Sequence, residues 1–428
     1  MSHAASRAFA RPSWGAAGLA GAVLTSLLLA AGGSSRRLIV LVPASLAGFP
    51  AWMRGPLSAF GPALSATAAA WLLVALSGCY GLVLARAREL SLRPVVIAIA
   101  CAQLAFMLAA PLYSADIFAY LDYARLGVLH HVDPYLHGAA AAPHDAVRPY
   151  VRWRDAPTPY GPLFTLATYP LARLPLPVAF WTLKLLSGAA SLGCVALVAR
   201  IARQLDRAVL PAVLFVGLNP VLLAYGVGGG HNDFFAALAM LTGLSLALSA
   251  RNGAASAFLV GAGAIKASLG LALPFMLLAR RSRRALSATL VSIATVASLA
   301  ALELGFSEWN VVRRFAGQQS VVARLSVPNA IGALLGLGGA TPALRALLGL
   351  ALCTGLSLLL WRVWRGADWL RMAGWATLLV LLASAWLLPW YIVWLLPLAA
   401  VAGDARLRTA TLAFTAFVVT MHVAAHLT

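Results

Sequence analysis

The residues best suited to chemistry collect in one stretch, PLYSADIFAYLDYARLGVLHHVDPYLHG at 111–138, which sets three aspartates and three histidines into a chain built mostly from Ala, Leu, Val and Gly. Between 111 and 160 lie five of the twelve acidic residues (Asp116, Asp122, Asp133, Asp145, Asp155), four of the eight histidines and six of the ten tyrosines. A merely solvated loop has no reason to gather aromatics with acids. If the segment is helical, Tyr113, Asp116, Tyr120 and Tyr123 share a face at i, i+3, i+7 and i+10. One carboxylate then stands on an aromatic-lined surface at the water–lipid boundary, where partial burial would raise its pKa towards working pH and suit it to act as a general base. The plainer reading is that Asp116, or Ser114 before it, caps the following helix. Asp122 and Arg125 are expected to pair on a helix surface. His130, His131, His137 and His144 show no strong zinc spacing such as HExxH. No cofactor is therefore expected, and a divalent metal, though compatible with the acids, is not predicted.

Two further constellations carry charge. In GGGHND at 228–233 the glycines permit close backbone approach, and a helix starting near Asn232 offers free N–H groups and a positive dipole end to an anion such as phosphate. Asn232 or Asp233 can equally be a plain N-cap of a helix over 234–250. Lys266, one of two lysines, interrupts an apolar run, and an ionisable group at such a place is by default a functional candidate. Arg313, Arg314 and Arg324 are the other cations of interest; contact with anionic lipid headgroups is their alternative role. Trp386, Pro389, Trp390, Tyr391 and Trp394 form either an interfacial aromatic belt or the wall of a site for a lipid chain or sugar ring.

The elements that must position these residues are membrane helices. The chain of 428 residues is 62% hydrophobic and only 10% charged, with repeated apolar runs near the ~20 residues that cross a bilayer. Such runs satisfy their own backbone hydrogen bonds as helices, so the expected fold is an all-α polytopic membrane protein of about 10–12 spans. The net charge of +20 comes from arginine clusters between the runs (Arg86, Arg88, Arg93; Arg200, Arg203, Arg207; Arg280, Arg281, Arg283, Arg284; Arg362, Arg365; Arg406, Arg408), the pattern of cytoplasmic loops. Basic patches interleaved with aromatics are absent, which excludes a nucleic-acid partner. The four cysteines lie scattered in apolar segments and are read as packing residues. An apolar run from about residue 15 to 33 is read as the first span rather than a signal peptide. With the arginines inside, 113–160 is the first large extracytoplasmic loop, 305–329 a second, and 226–235 and 388–394 face the same side; 38–50 is taken as interfacial. Single helices are expected over 94–112, 176–199, 208–225, 285–304, 342–360, 372–388 and 409–427, and 254–279 is too long for one simple helix, so a break at Lys266 is considered. One polytopic membrane domain spans 1–428.

YSADIFAYLDYARLGVLHHVDPY, then TPYGPLF at 158–164, LNPVLLAYGVGGGHNDFF at 218–235, IKASLGLALPF at 265–275 and LPWY at 388–391 together resemble the bacterial polyprenol-phosphomannose-dependent α-1,6-mannosyltransferases, integral membrane glycosyltransferases of the GT-C fold. The resemblance runs from about 111 to 391. It implies a polyprenyl-phosphate-linked sugar as donor, a glycan or glycolipid acceptor, an active site on the outer face of the inner (plasma) membrane, and a base in the first outer loop, which falls on Asp116. GT-C enzymes often carry two adjacent acids there, whereas Ala115 precedes a single Asp116 here; Asp122 or Asp133 is then a candidate to share the role. The resulting expectation is transfer of a single sugar, mannose, with inversion. His231, Asn232, Lys266, Arg313 and Arg314 would bind the lipid phosphate, and Tyr120, Tyr135 and Tyr160 the sugar rings; Asp122, Asp133 and Asp233 complete the candidate binding set. A transporter or flippase of lipid-linked saccharide is the alternative. It would call for inverted repeats and midplane charges, which the clustering of polar residues on one face disfavours.

Overall fold

The computed structural model describes residues 13–33, 50–305 and 322–427. Among these every regular element is helical. In chain order they are α1 (Trp14–Gly33), α2 (Ala66–Ala85), α3 (Leu92–Met107), α4 (Asp116–Leu129), α5 (Pro162–Thr168), α6 (Leu176–Gln204), α7 (Val209–Gly217), α8 (Asp233–Leu248), α9 (Asn252–Ile265), α10 (Ala272–Arg280), α11 (Arg283–Leu304), α12 (Val327–Leu334), α13 (Pro342–Trp364), α14 (Trp369–Ala383), α15 (Ile392–Val401) and α16 (Ala405–Leu427). Five of them, α1, α2, α6, α11 and α13, are long and apolar enough to cross a membrane, and six shorter apolar helices accompany them. On α13 only 6% of the spanning window is covered by the protein and on α11 17%, so Leu290, Val291, Leu347 and Leu350 project from the bundle. In water such faces would aggregate; in hydrocarbon they are solvated. The protein is a polytopic membrane protein.

Shorter helices fill the centre. Every residue of α15 is buried, and α8 packs among α6, α9 and α15. The bundle has two chemically distinct ends. At one, the arginine-rich turns are tied together: Glu89 accepts from the Gly15 amide at 2.9 Å, Gln204 at the end of α6 donates to Ser249 at the end of α8 at 2.9 Å, and Arg281 after α10 donates to the Trp364 carbonyl at 2.7 Å. Antiparallel succession then carries the ends of α3, α9 and α14 and the starts of α4, α8 and α15 to the other end.

At that second end the sequence expectations and the structure part in an informative way. The helix expected over 94–112 stops at Met107; Leu112 instead donates its N–H to the Gly228 carbonyl at 3.0 Å, and Tyr113 takes φ 61°, outside any helix. The helix expected over 208–225 breaks before Pro220, which cannot donate to the ladder. The Asn219 carboxamide oxygen then accepts from the Val221 and Leu222 amides at 3.0 and 3.1 Å, and the restarted helix widens to a π-turn over Leu222–Val227. The run 254–279 is broken at Lys266, whose extended backbone (φ −151°, ψ 113°) separates α9 from a 3₁₀ turn leading into α10. The helix expected over 372–388 ends at Ala383, and 384–391 is irregular up to a 3₁₀ turn at Pro389–Tyr391. Residues 38–49 and 306–321, which hold most of two expected surface segments, lie outside the described residues.

Candidate active site

Asp116 is the first residue of α4. The N-cap position falls on Ala115, and the Ser114 hydroxyl just before it accepts the Asp116 amide proton at 3.1 Å, so the Asp116 carboxylate is not spent on capping. It is 23% exposed, and its Oδ2 lies 3.5 Å from Nδ1 of the fully buried His231. The expected upward pKa shift is corrected: burial pushes the carboxyl up, but His231, Lys266 and Ser114 outweigh it and hold it below the ordinary range. Asp116 is therefore ionised at neutral pH.

One turn along, Tyr120 is 2% exposed. Its hydroxyl donates to Asn232 Oδ1 at 3.3 Å, accepts the Asn232 amide at 3.3 Å, and stands 3.5 Å from His231 Nδ1. Its ring packs edge-on against Tyr160 and Phe164 at 4.9 and 5.0 Å. Tyr120 thus clamps the outer-loop helix to the HND turn, with little surface left for a sugar. Tyr113 is off the shared face foreseen for it and stacks on Tyr225 at 4.4 Å.

Asp233 opens α8 with its side chain fully buried. Lys266 Nζ reaches its Oδ1 at 2.7 Å, and the Trp394 indole N–H donates to the same oxygen at 2.5 Å. Lys266 remains 14% exposed, and its ammonium lies 4.7 and 5.3 Å from the ring centroids of Tyr391 and Trp394. The break that frees Lys266 is fixed from outside, since the Gly161 N–H donates to the Ile265 carbonyl at 3.1 Å. Only glycine allows this approach: a Cβ at 161 would lie 2.1 Å from the Ala264 carbonyl oxygen. Trp390 stacks on His231 at 3.8 Å. Trp390 and Trp394 are thus interior residues, and the belt reading fails for both.

Several sequence candidates stand elsewhere. His231, Asn232 and Asp233 are all wholly buried, and the Asn232 N–H is taken by Tyr120; among the described residues Lys266 is a partly exposed cation near Asp116. Asp122, six residues past Asp116 on α4, turns to a different face and is 1% exposed. Arg125 does not pair with it but binds Asp145 at 2.8 Å, and His130 binds the same carboxylate at 2.6 Å. Burial and the neighbouring Asp145 push the Asp122 carboxyl up to about 7, with Arg125 opposing. Asp133 accepts the Tyr135 amide at 2.8 Å as a turn former. Tyr135 is buried, its hydroxyl donating to the Tyr160 carbonyl at 2.9 Å beneath the 158–161 turn. Tyr160 is half-buried beside Tyr120. Arg324 is exposed, whereas Arg313 and Arg314 lie outside the described residues. Among the described residues no group of three or more His, Cys, Asp or Glu side chains could hold a metal.

Sequence reasoning overlooked α6. Fully buried Lys184 donates to the Gly228 carbonyl at 2.7 Å, and Ser187 to the His231 carbonyl at 2.8 Å. The signal was present, because Lys184 is the other of the two lysines and also sits in an apolar run.

Comparisons with known proteins agree with this framework. Residues 15–282 match the family described as alpha-(1->6)-mannopyranosyltransferase, N-terminal domain, and residues 321–426 match the MptB C-terminal domain. The chain is 30% identical over 345 residues to alpha-(1->6)-mannopyranosyltransferase A of Mycobacterium tuberculosis, covering 72% of this chain and 65% of that protein. It is 32% identical over 176 residues to the protein of the same name from Corynebacterium glutamicum, covering 39% of this chain and 35% of that one. The match thus spans less than two thirds of the length of either relative. No solved structure matches. With family matches over residues 15–282 and 321–426, the chain belongs to the alpha-(1->6)-mannopyranosyltransferase family.

Proposed function

We propose that the protein transfers a single mannose from a polyprenyl-phosphate carrier to a glycan or glycolipid acceptor at the extracytoplasmic face of the inner membrane. The carrying observation is that a partly exposed carboxylate, Asp116, and a partly exposed cation, Lys266, converge from distant segments at the end of the bundle opposite the arginine clusters. The sidedness follows if those clusters are cytoplasmic. The names of the relatives supply the sugar, and a lipid-linked donor suits a site at a membrane surface. The acceptor hydroxyl attacks the anomeric carbon in line, with inversion, as its proton passes to Asp116. The bond from the anomeric carbon to the phosphate oxygen breaks, and the lipid phosphate leaves as an anion. Lys266, held by Asp233 beside the stacked rings of Tyr391 and Trp394, offsets the charge developing there. Such a leaving group needs electrostatic help rather than a protein acid.

The test is transfer in detergent from synthetic polyprenyl-phosphate-mannose to short α-mannosides by wild type and Asp116→Asn. We expect turnover to fall by about 10²–10⁴-fold in the variant, the usual contribution of a general base. Equal turnover by both would remove Asp116 from the chemistry. Binding of donor without turnover by the wild type would turn the reading to saccharide transport.

A further inference from the structure

The base needs an orienting partner, and the structure assigns that part to His231 as a neutral imidazole carrying its proton on Nδ1, aimed at Oδ2 of Asp116. This inference rests on the function proposed above and goes beyond it by fixing a protonation state, a hydrogen-bond direction and the carboxylate oxygen left for the substrate.

His231 is wholly buried, and its Nε2 has no hydrogen-bond partner. That nitrogen is pressed against backbone: a Cβ at Gly229 would lie 2.4 Å from it. A proton there would be a buried donor without an acceptor, which is unfavourable. This argues against both the imidazolium and the Nε2–H tautomer. On the opposite edge, Nδ1 meets Asp116 Oδ2 and the Tyr120 hydroxyl, each at 3.5 Å. The Tyr120 proton is directed to Asn232 Oδ1 at 3.3 Å, so Tyr120 does not supply a hydrogen to Nδ1. An unprotonated Nδ1 would set a lone pair against a carboxylate. A proton on Nδ1 gives the Asp116 carboxylate a donor and leaves the enclosed Nε2 as a lone pair rather than an unpaired donor.

The charged and titratable groups around the ring are consistent with this state. Asp116 and Tyr120 face it from α4, Lys184 approaches through Gly228 from α6, and Asp233 follows in the chain with its charge already matched by Lys266. The ring cannot swing away. Trp390 stacks on it with planes 15° apart, Ser187 grips its carbonyl, and Gly230 sets the turn at φ 69°.

With Oδ2 occupied by the Nδ1–H, Oδ1 is the oxygen that takes the acceptor's proton. The acceptor O–H bond breaks, the O–H bond forms on Asp116, and His231 keeps its own proton throughout. His231 is a positioning residue and not a relay.

Two measurements test this. In ¹⁵N-histidine spectra of the detergent-solubilised wild type, with the signal assigned by its loss in His231→Asn, a neutral Nδ1–H ring is expected at neutral pH. An imidazolium or Nε2–H pattern overturns the inference whatever the enzyme's activity. In the mannosyl-transfer assay, Asn can place its amide N–H where Nδ1 stood, whereas Gln reaches towards the Nε2 position and Ala supplies no donor. We expect His231→Asn to stay within about tenfold of wild-type kcat, and His231→Gln and His231→Ala to lose on the order of 100-fold, no more than the base itself contributes. In the latter two the donor KM should hold and the acid limb of the kcat profile move to higher pH, because a carboxylate deprived of a donor is harder to ionise. Equal losses in all three with an unmoved acid limb overturn the inference. Wild-type inactivity in that assay would refute the mannosyltransferase reading, while the spectrum would still decide the tautomer.

Discussion

Replacing Lys266 with methionine separates what the Lys266–Asp233 pair does for folding from what it does for transfer. Asp233 is 0% exposed in its side chain, and Lys266 Nζ at 2.7 Å is the only cation the structure pairs with it among the described residues. Lys266→Met keeps the length and apolar stem but leaves the carboxylate with the Trp394 indole N–H alone. Removing one partner of a buried ion pair costs about 3–5 kcal/mol. In a chain of 428 residues that is a fall in Tm of roughly 3–6 °C. The reverse change, Asp233→Asn, should cost less, because Lys266 is 14% exposed and can turn its ammonium towards water or a phosphate. The double variant Asp233→Asn, Lys266→Met removes both charges and should recover most of the Tm lost by Lys266→Met.

Transfer should not recover with it. A cation set against a developing anion contributes about 10²–10³ in rate, the scale of one oxyanion-stabilising donor. Both variants lacking Lys266 should therefore be slow, the double variant while folded nearly as well as the wild type. Thermal unfolding followed by fluorescence, paired with turnover from polyprenyl-phosphate-mannose, reads both quantities. A wild-type Tm for Lys266→Met would refute the burial argument. Wild-type turnover in the double variant would refute the role given to Lys266.

Two other outcomes follow from the geometry. Asp122, raised to about 7 in the folded protein, binds its proton more tightly there than when unfolded, so its contribution is fully present below pH ~4 and lost as pH rises to about 7. Asp122→Asn should leave Tm nearly unchanged at or below pH ~4 and add about 2–4 kcal/mol at pH 8; a gain that is the same at both pH values would refute it. Gly161→Ala must displace the Ala264 carbonyl, 2.1 Å from the added Cβ, and a backbone clash of this kind is worth about 1–3 kcal/mol. Because it pushes on the residues just before Lys266, transfer should fall more than stability does, and unaltered kinetics would show that the 158–161 turn does not hold the Lys266 break.

The legible part of the fold was whatever apolar length and arginine placement determine. The runs that became α1, α6, α11 and α13 read as helices because hydrocarbon leaves the backbone no other economical arrangement. Breaks at Lys266 and before Pro220 differ in legibility: the lysine announced one by its charge, but in LNPVLLAYGVGGG the long apolar run concealed both the Asn219 cap and the π-turn. The site was legible as a set of unusual residue types and not as a set of roles. Tyr135 and Asp133 look as functional as Tyr160 and Asp116 in sequence, since nothing local shows that Tyr135 lies under the 158–161 turn or that Asp133 closes a turn on the Tyr135 amide. Lys184 and Ser187 escaped notice because their partners are carbonyls, which every residue carries.

The two aspartates that open helices at this end illustrate how role follows from surroundings. Asp116 and Asp233 occupy equivalent positions, each the first residue of a helix and each favoured there by the helix dipole. Asp233 meets a lysine and an indole N–H in a closed interior, and its Oδ1 accepts from both. It is committed to structure, and what it controls is where Lys266 stands. Asp116 is contacted by His231 at one oxygen, remains 23% exposed, and is held below the ordinary carboxylate range by its neighbours. A carboxylate whose pKa lies below the ordinary range is a weak base in water, so its usefulness depends on the acceptor hydroxyl becoming acidic only as its bond to the sugar forms. In the proposed reaction the proton would then pass late, after the bond to the lipid phosphate has largely broken, and Lys266→Met is expected to slow transfer about as much as Asp116→Asn does.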